Sequence, residues 1–447
     1  MLTNTDWIGT GREFPPKRED KRINIYRNYS DMFNGDYDKV YNYDFNLKAV
    51  QLRMKDVQVS TAINYPQLLA KKTADFVCGE APVIEVGDNT EKVKDALENV
   101  GFQSALYEAM IDVSRFGNAV IKTLDDRISV VPPRVWYPIV DEFDRKKIKA
   151  HVLAFISDNK IYVEIHENGK YEKRTYRVFE AKDKGHTLHF GELEESETIN
   201  TGIDENAVQI LSNVTTTDEL YGISDFSVIA DIHKELVWRI FCAERILNKH
   251  AAPSIVGTSS MLETDPITGT PLLRTGNFFK RDSNDEPMPQ YLTWDGNMGA
   301  VTWEIEWLTN QMYTVSEMGA AFLEGAGRGE VNSGRALRLR MTSPLIKAQR
   351  LASINTAPVK KIVKLVAAAN KQSIDIGDVA ITWNDGLPND VVDDMQLYTA
   401  ASGKPVMSQY TAVKRFQDLD DKSTDVEIAT MNAENAALFM PNDRSDK

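Results

Sequence analysis

Apolar residues recur at helical spacing over Asn64–Phe76 (NYPQLLAKKTADF) and give way to CGEAPVIEV, which predicts a first helix and then a turn into a strand. Two further helical stretches, Glu91–Val100 and Ser104–Phe116, stop at a Gly117-Asn118 turn. There the period changes to two. The segments AVIKTL, RISVVPP, VWYPIVD, KAHVLAFI, KIYVEIHE, YRVFEA and HTLHFGEL follow one another at roughly 8–12 residues with polar turns between them, the pattern of an antiparallel sheet region.

At Tyr221 the helical period returns. In GISDFSVIADIHKELVWRIFCAERILNKHAAP, Ser224 or Asp225 can cap a long helix whose apolar stripe is Ile229, Ile232, Leu236, Ile240, Ala243 and Leu247, with Pro253 helping to stop it. Residues 251–302, rich in Gly, Pro, Thr and Asp, read as a compact insertion of short strands. A second helix, WEIEWLTNQMYTVSEMGAAFLEG, carries Ile305, Leu308, Met312, Val315, Gly319 and Phe322 at alternating spacings of three and four, a seam that requires a partner helix. A glycine-rich connector, GAGRGEVNSG, precedes a third long helix capped by Ser333, which Pro344 and Pro358 are expected to kink or divide. DVAITWNDGLP predicts one more strand; short helices and a loose tail complete the chain.

Charge modifies this picture in one place. The net charge is −14, yet Arg335–Lys371 holds nine Lys or Arg and no acid, so the remainder stands at −23. A run of one sign repels itself unless acids or phosphates face it, so this helix either pairs with acidic groups of the protein, the first reading, or contacts DNA. The acidic total argues against general affinity for nucleic acid. With 447 residues, more than one structural region is expected, and the first 22 residues lack the apolar core of a signal peptide. No apolar run reaches the roughly 20 residues that cross a bilayer, so no membrane partner is expected.

Candidate chemistry is sparse. Gly325, Gly327 and Gly329 follow a helix and fit neither phosphate-loop spacing, so the connector reads as a linker or as a mobile functional loop. The six histidines lack paired metal spacing and read as surface or strand residues. Asp418–Asp421 and Val391–Asp394 read as solvated helix starts favoured by the helix dipole, not as a nuclease centre. Cys78 and Cys242 read as small buried hydrophobes. No catalytic residues, metal site or cofactor are predicted, and the chain is not expected to be an enzyme.

Several strings resemble the portal proteins of long-tailed bacteriophages. YGISDF followed by a long amphipathic helix is similar to the descending stem helix of that family, and WEIEWLTNQMYTVSEMGAAFLEG to the ascending one. NSGRALRLRMTSPLIKAQR resembles the Ser-Gly-x-Ala-Leu signature that opens the family's long helix, here Ser333, Gly334, Ala336 and Leu337. NYPQLLAKKTADFVCGEAP, ITWNDGLPND, SQYTAVKRF, QDLDD and Glu434 extend the resemblance over nearly the whole chain. It implies an α+β, portal-like fold: a wing over 1–222, stem helices at 223–250 and 303–324, and a β-rich clip at 251–302. A channel loop at 325–334, a long helix with a returning wing strand at 335–388, and a short crown at 389–447 complete it. Ile229, Ile232, Leu236, Ile305, Leu308, Met312 and Val315 would pack the stem; Arg328, Glu330 and Asn332 would face DNA in the channel.

The resemblance also implies the role: a subunit of a dodecameric ring at the capsid vertex of a virion, assembled in the host cytoplasm, through which double-stranded DNA is packaged and ejected. Its partners would be further copies of itself, DNA, the large terminase, a head-tail adaptor, and the major capsid and scaffolding proteins. An acidic lumen suits this role because it repels phosphates and leaves DNA free to slide. The alternatives are another virion structural protein, or a DNA-processing enzyme that uses the basic helix as a clamp.

Overall fold

The computed structural model describes residues 1–51, 62–124, 127–180, 187–251, 298–319, 341–384, 391–404, 406–417, 419 and 421–438, with short pieces at 255–256, 262–264, 267–269, 271–273 and 290–291. They fall into two compact units, 1–323 with 343–385, which is mixed helix and sheet, and 324–342 with 386–447. The fold class is α+β.

The first unit opens with helices α1 (Asp20–Asn34) and α2 (Tyr37–Gln51), neither of them among the elements expected from the sequence. Gly35, at φ +84°, ends α1 in the left-handed conformation that glycine adopts without a Cβ clash. Helix α3 (Tyr65–Cys78) starts where predicted, with the Asn64 side chain accepting from Gln67 N. Strand β2 (Val83–Val86), α4 (Thr90–Asn99) and α5 (Phe102–Phe116) follow. The strand expected after residue 370 forms as β15 (Val379–Thr382) and pairs antiparallel with β2.

The expected antiparallel sheet region forms as two sheets. Strands β3 (Asn118–Leu124), β4 (Arg127–Val131) and β10 (Val208–Ser212) make a three-stranded sheet in the order β10-β3-β4. The larger sheet joins β1 (Glu13–Phe14), β5 (Trp136–Val140), β6 (Ile148–Ser157), β7 (Lys160–Glu167), β8 (Lys170–Glu180) and β9 (Leu188–Asn200) in the order β1-β9-β8-β7-β6-β5. The N-terminal segment closes both of its edges. Leu2 bridges Ile139 on β5, where Val140 N donates to Leu2 O at 2.9 Å, and Glu13–Phe14 pairs with β9. Trp7 and Phe14 pack with Tyr137 and Phe190 beneath this strap.

Two long helices come next. Helix α6 (Asp225–Ala251) and helix α7 (Met298–Val315) flank the 252–297 insertion, whose described pieces are two short antiparallel pairs, β11 (Ile255–Val256) with β14 (Gln290–Tyr291) and β12 (Leu262–Thr264) with β13 (Pro271–Leu273). Helix α7 stops earlier than its periodicity suggested. Met318 N and Gly319 N both donate to Tyr313 O, and Glu317 and Gly319 take positive φ, a turn that ends the helix before position 319 of the expected seam. Helix α8 (Thr342–Ala369) is continuous and not divided. Pro344 falls in its first turn, where no amide donor is needed, and Pro358 sits inside it without breaking the run.

The second unit is helical in its described part: α9 (Val391–Ala401), α10 (Gln409–Gln417) and α11 (Asp421–Leu438). Ser408 Oγ caps α10 by accepting from Thr411 N, Lys414 pairs with Asp421 at 2.6 Å, and Tyr398 packs edge-on against Phe416. The run Val391–Asp394 opens α9, and Asp421, the last of the run Asp418–Asp421, opens α11; Asp418 and Asp420 lie outside the described residues.

Candidate functional site: the base of the long helices

The motif YGISDF marks a place where elements distant in sequence converge, and its backbone and side chains are both engaged there, Ile223 N donating to Val214 O at 2.8 Å. Tyr221 stands edge-on to Trp136 and lies under the Arg22 guanidinium, 5.1 Å from the ring centre. Arg22 also donates to the carbonyls of Pro133 and Trp136 at 2.8 Å, so α1 is tied to the start of β5. Gly222 meets Gly117 backbone to backbone. A Cβ on either would lie 2.0–2.1 Å from the other's carbonyl oxygen, so neither position admits a side chain. Ser224 Oγ accepts from Phe226 N as the cap of α6 and donates to Arg115 O at 2.6 Å.

Asp225, the first residue of α6, is the centre of this joint. Its carboxylate accepts from Ser114 Oγ at 2.6 Å and Asn213 Nδ2 at 3.0 Å, and pairs with Lys347 Nζ of α8 at 2.8 Å. Lys347 also donates to Ser316 O, just beyond α7, at 3.1 Å. Both charges are buried, with side-chain exposures of 4% and 11%, so each relies on the other and on these hydrogen bonds in place of water. One turn pair further along α8, the fully buried Asn355 side chain accepts from Ser212 N at 2.7 Å and donates to Ser212 O at 2.9 Å, ending β10 as a neighbouring strand would. Helices α6, α7 and α8 are thus fixed to one another and to the three-stranded sheet through polar contacts inside an apolar body.

Above this joint α6 and α7 run antiparallel. Asp225 and Ser316 meet through Lys347, whereas Arg239 pairs with Glu304 at 2.9 Å, so numbers rise on one helix as they fall on the other. Ile229, Leu236, Leu308 and Met312 are buried in one cluster with Leu69, Tyr313 and Met318, and Ile232 and Ile305 pack against it partly covered. Two stripe residues depart from expectation. Val315 is 39% exposed, because the last residue of α7 projects past the seam and Tyr313 and Met318 fill its place. Leu247 is 57% exposed near the far end of α6. On the other side of α7, Trp303 and Trp307 stack on each other and face solvent. Arg328, Glu330 and Asn332 lie outside the described residues, as does the Ser333–Leu337 signature.

The basic helix resolves largely into pairs. Among its six described cations, Lys347 meets Asp225, Arg350 meets Glu317, and Lys361 and Lys364 share Glu205 at 3.4 and 3.5 Å. The importance of Lys347 and Asn355 was not read from the sequence, although a signal existed. Both fall on the apolar stripe of α8 with Ala348, Leu351, Ala352, Val359 and Ile362, where a polar residue must have a buried partner. Three histidines are also interior: His151, His166 and His233, the last in a helix and against the surface-or-strand expectation. His233 touches Tyr41 Oη at 3.1 Å and the Ile63 carbonyl at 3.3 Å, and burial pushes its pKa down to about 4. Cys78 is free and buried, and burial pushes its thiol up to about 12; Cys242 is free and half-buried. Among the described residues no group of three His, Cys, Asp or Glu could hold a metal ion, and no helix is long and apolar enough to cross a membrane.

A family model described as phage portal protein, SPP1 Gp6-like, matches residues 15–437. No curated protein matches in sequence. Among solved structures, a chain from the neck of a native GTA particle computed with C12 symmetry is 10% identical, covering 78% of this chain and 89% of that one, with a TM-score of 0.46. A chain from the virion of a native gene transfer agent particle is 11% identical, covering 90% and 93%, with a TM-score of 0.48.

Proposed function

Since the chain belongs to the SPP1 Gp6-like family of phage portal proteins and is a portal subunit, a structural component of the virion, we propose that α6 and α7 are the stem of a dodecameric ring that conducts double-stranded DNA. The observation that carries this reading is the joint beneath them. Two antiparallel helices locked at their base by a buried ion pair, with a stacked Trp303–Trp307 face left open, are suited to stand side by side with copies of themselves.

On the same reading residues 1–222 with β15 are the wing, 252–297 the clip, shorter at both ends than the expected 251–302 because α6 runs to Ala251 and α7 starts at Met298, and 389–447 the crown. Residues 325–334 are the channel loop, where Arg328, Glu330 and Asn332 approach DNA; one cation and one anion per copy nearly cancel, so the loop touches phosphate without holding it. The ring docks the large terminase during packaging and a head-tail adaptor afterwards, and sits among the capsid and scaffolding proteins after assembly in the host cytoplasm. The basic helix serves mainly internal pairing, because four of its six described cations have acidic partners within the chain.

The test is the mass and end-on appearance of the purified full-length protein. A closed ring of one defined mass with a central hole is expected. A monomer at every concentration and salt tested would overturn the proposal. Replacing Arg328 and Glu330 by alanine should then leave the ring intact and impair DNA packaging or retention, and unchanged packaging would remove the loop from the mechanism.

A further inference from the structure

The turn between β5 and β6 presents a bare aromatic ring on a rigid support. Phe143 is 99% exposed, yet the backbone around it is fixed: Phe143 N donates to Asp141 Oδ1 at 2.9 Å, Lys146 N to Asp144 Oδ1 at 2.9 Å, and Asp141 N to Lys147 O at 2.8 Å. An aromatic residue held in water on a pre-ordered turn gives up little conformational entropy when it is buried by a partner. Exposed Glu142 and Asp144 flank it, and exposed Arg145, Lys146 and Lys147 follow, with Lys146 bonded to the Thr216 carbonyl and Arg145 and Lys147 left to the C-terminal side of the ring.

The same chain contains a cavity suited to such a knob. Between β2, α4 and the start of α5 lies a cleft of about 600 Å³ whose floor includes Leu97 and Phe102 and whose wall includes the half-exposed Val83. Its rim carries Glu85, Glu91 and Glu98 against the single cation Lys94. The volume falls in the range of roughly 300–1,000 Å³ typical of pockets that enclose an organic group. The rim is acidic, and of the turn's charges it is Arg145 and Lys147 on the C-terminal side of the ring that match it.

Knob and cleft lie at opposite ends of α5. Phe102 and Ser104 at its start line the cleft, while Phe116 at its end lines another surface depression that Glu142 and Arg145 of the turn also line. A helix of 15 residues is about 22 Å long, so the turn does not reach the cleft of its own chain. Two different complementary patches on separated sides of one molecule define a head-to-tail contact, the kind that generates a ring when the rotation closes.

We infer that Phe143 inserts into the β2–α4–α5 cleft of a second copy of this chain, with Arg145 and Lys147 facing Glu85, Glu91 and Glu98, and with Glu142 and Asp144 directed away from the rim. This rests on the ring reading above and names the contact by which neighbours engage outside the long helices.

The experiment places p-benzoylphenylalanine at position 143 of the full-length protein, mixes isotopically light and heavy chains, irradiates, and maps the adducts. Heavy-to-light adducts on residues 82–104 are expected. Adducts confined to one chain, or to any other surface or protein, overturn the inference. In parallel, Phe143→Asp should leave the thermal unfolding of the dissociated subunit unchanged, because the ring touches nothing in its own chain, while raising the concentration needed for assembly at least tenfold. Charge reversal of Arg145 and Lys147 to Glu, or of Glu91 and Glu98 to Lys, should weaken assembly, and the combined reversal should restore it. If the parent protein forms rings and Phe143→Asp assembles identically, this contact is wrong and the ring stands; if the parent is monomeric at all concentrations, both fail.

Discussion

Removing one partner of the Lys347–Asp225 pair tests whether the joint holds the long helices. The two side chains are almost wholly buried and 2.8 Å apart, so neither can regain water when its partner is lost. Breaking such a pair typically costs about 3–5 kcal/mol, most of it the penalty on the charge left behind. The two single substitutions should not be equal. In Lys347→Met, Asp225 keeps its donors Ser114 and Asn213, so the loss should lie near the lower bound. In Asp225→Asn, Lys347 keeps only neutral acceptors, the Ser316 carbonyl and the new amide oxygen, and its charge is uncompensated, so the loss should lie near the upper bound. The double variant Asp225→Asn/Lys347→Met removes both charges and should be less destabilised than the sum of the singles by about 1–3 kcal/mol. Urea denaturation followed by tryptophan fluorescence and by far-ultraviolet circular dichroism gives the three values. Two singles that each cost less than about 1 kcal/mol, or that add without coupling, would show that the pair is solvated and the joint as described is wrong.

Further outcomes are expected elsewhere. Gly117→Ala and Gly222→Ala should each abolish soluble protein, since either Cβ would overlap the opposite carbonyl, whereas Gly377→Ala, with open space around it, should express and melt like the parent. His233 should make the fold acid-sensitive in a defined window. Burial lowers its folded pKa to about 4 from the ordinary 6.5, so the unfolded chain binds the proton first and stability falls as pH drops from about 6.5 to about 4, by up to about 3 kcal/mol. His233→Gln should reduce, without abolishing, the slope of that part of the stability–pH curve measured by denaturant titration, since buried His151 is pushed down as well, to about 3, and an unchanged slope would refute the assignment. Deleting residues 1–14 bares both edges of the six-stranded sheet and should produce concentration-dependent aggregation, detectable by light scattering.

Much of the fold was legible wherever burial had a period. Segments read as strands became β3 to β9, with period two plain in β7, where one face is covered and the other partly wet, while β3 and β5 are covered on both faces and were legible as short apolar runs between turns. The long helices α6 and α8 were visible through their own period. Helix α7 was over-extended because apolar spacing continues past Val315, while the stop is a backbone turn at Glu317 and Gly319 that hydrophobicity does not encode. Helices α1 and α2 were missed because α2 is apolar on two sides: Tyr37, Tyr41 and Phe45 are buried while Tyr43, Leu47 and Val50 are exposed, so no single stripe emerges. At the joint, YGISDF was conspicuous as a string, but its meaning depended on Ser114, Asn213 and Lys347, each contributed by a different part of the chain. A buried lysine on an apolar stripe announces that a partner exists and leaves its identity to the tertiary structure.

The N-terminal strap has a consequence for synthesis. A ribosome extends a chain at about 5–20 residues per second, so β9 emerges roughly 10–40 s after the segment that will cap it. When Ile139 and later Leu188 first become available for pairing, Leu2 and Phe14 are already outside the ribosome and tethered to the same molecule. Each edge therefore meets its own cap before it meets another nascent chain on the same message. Had the strap followed residue 438, both edges would have stood bare while the remaining two hundred or so residues were made. Placing the cap first lets many copies be produced close together without their sheets joining in the wrong way.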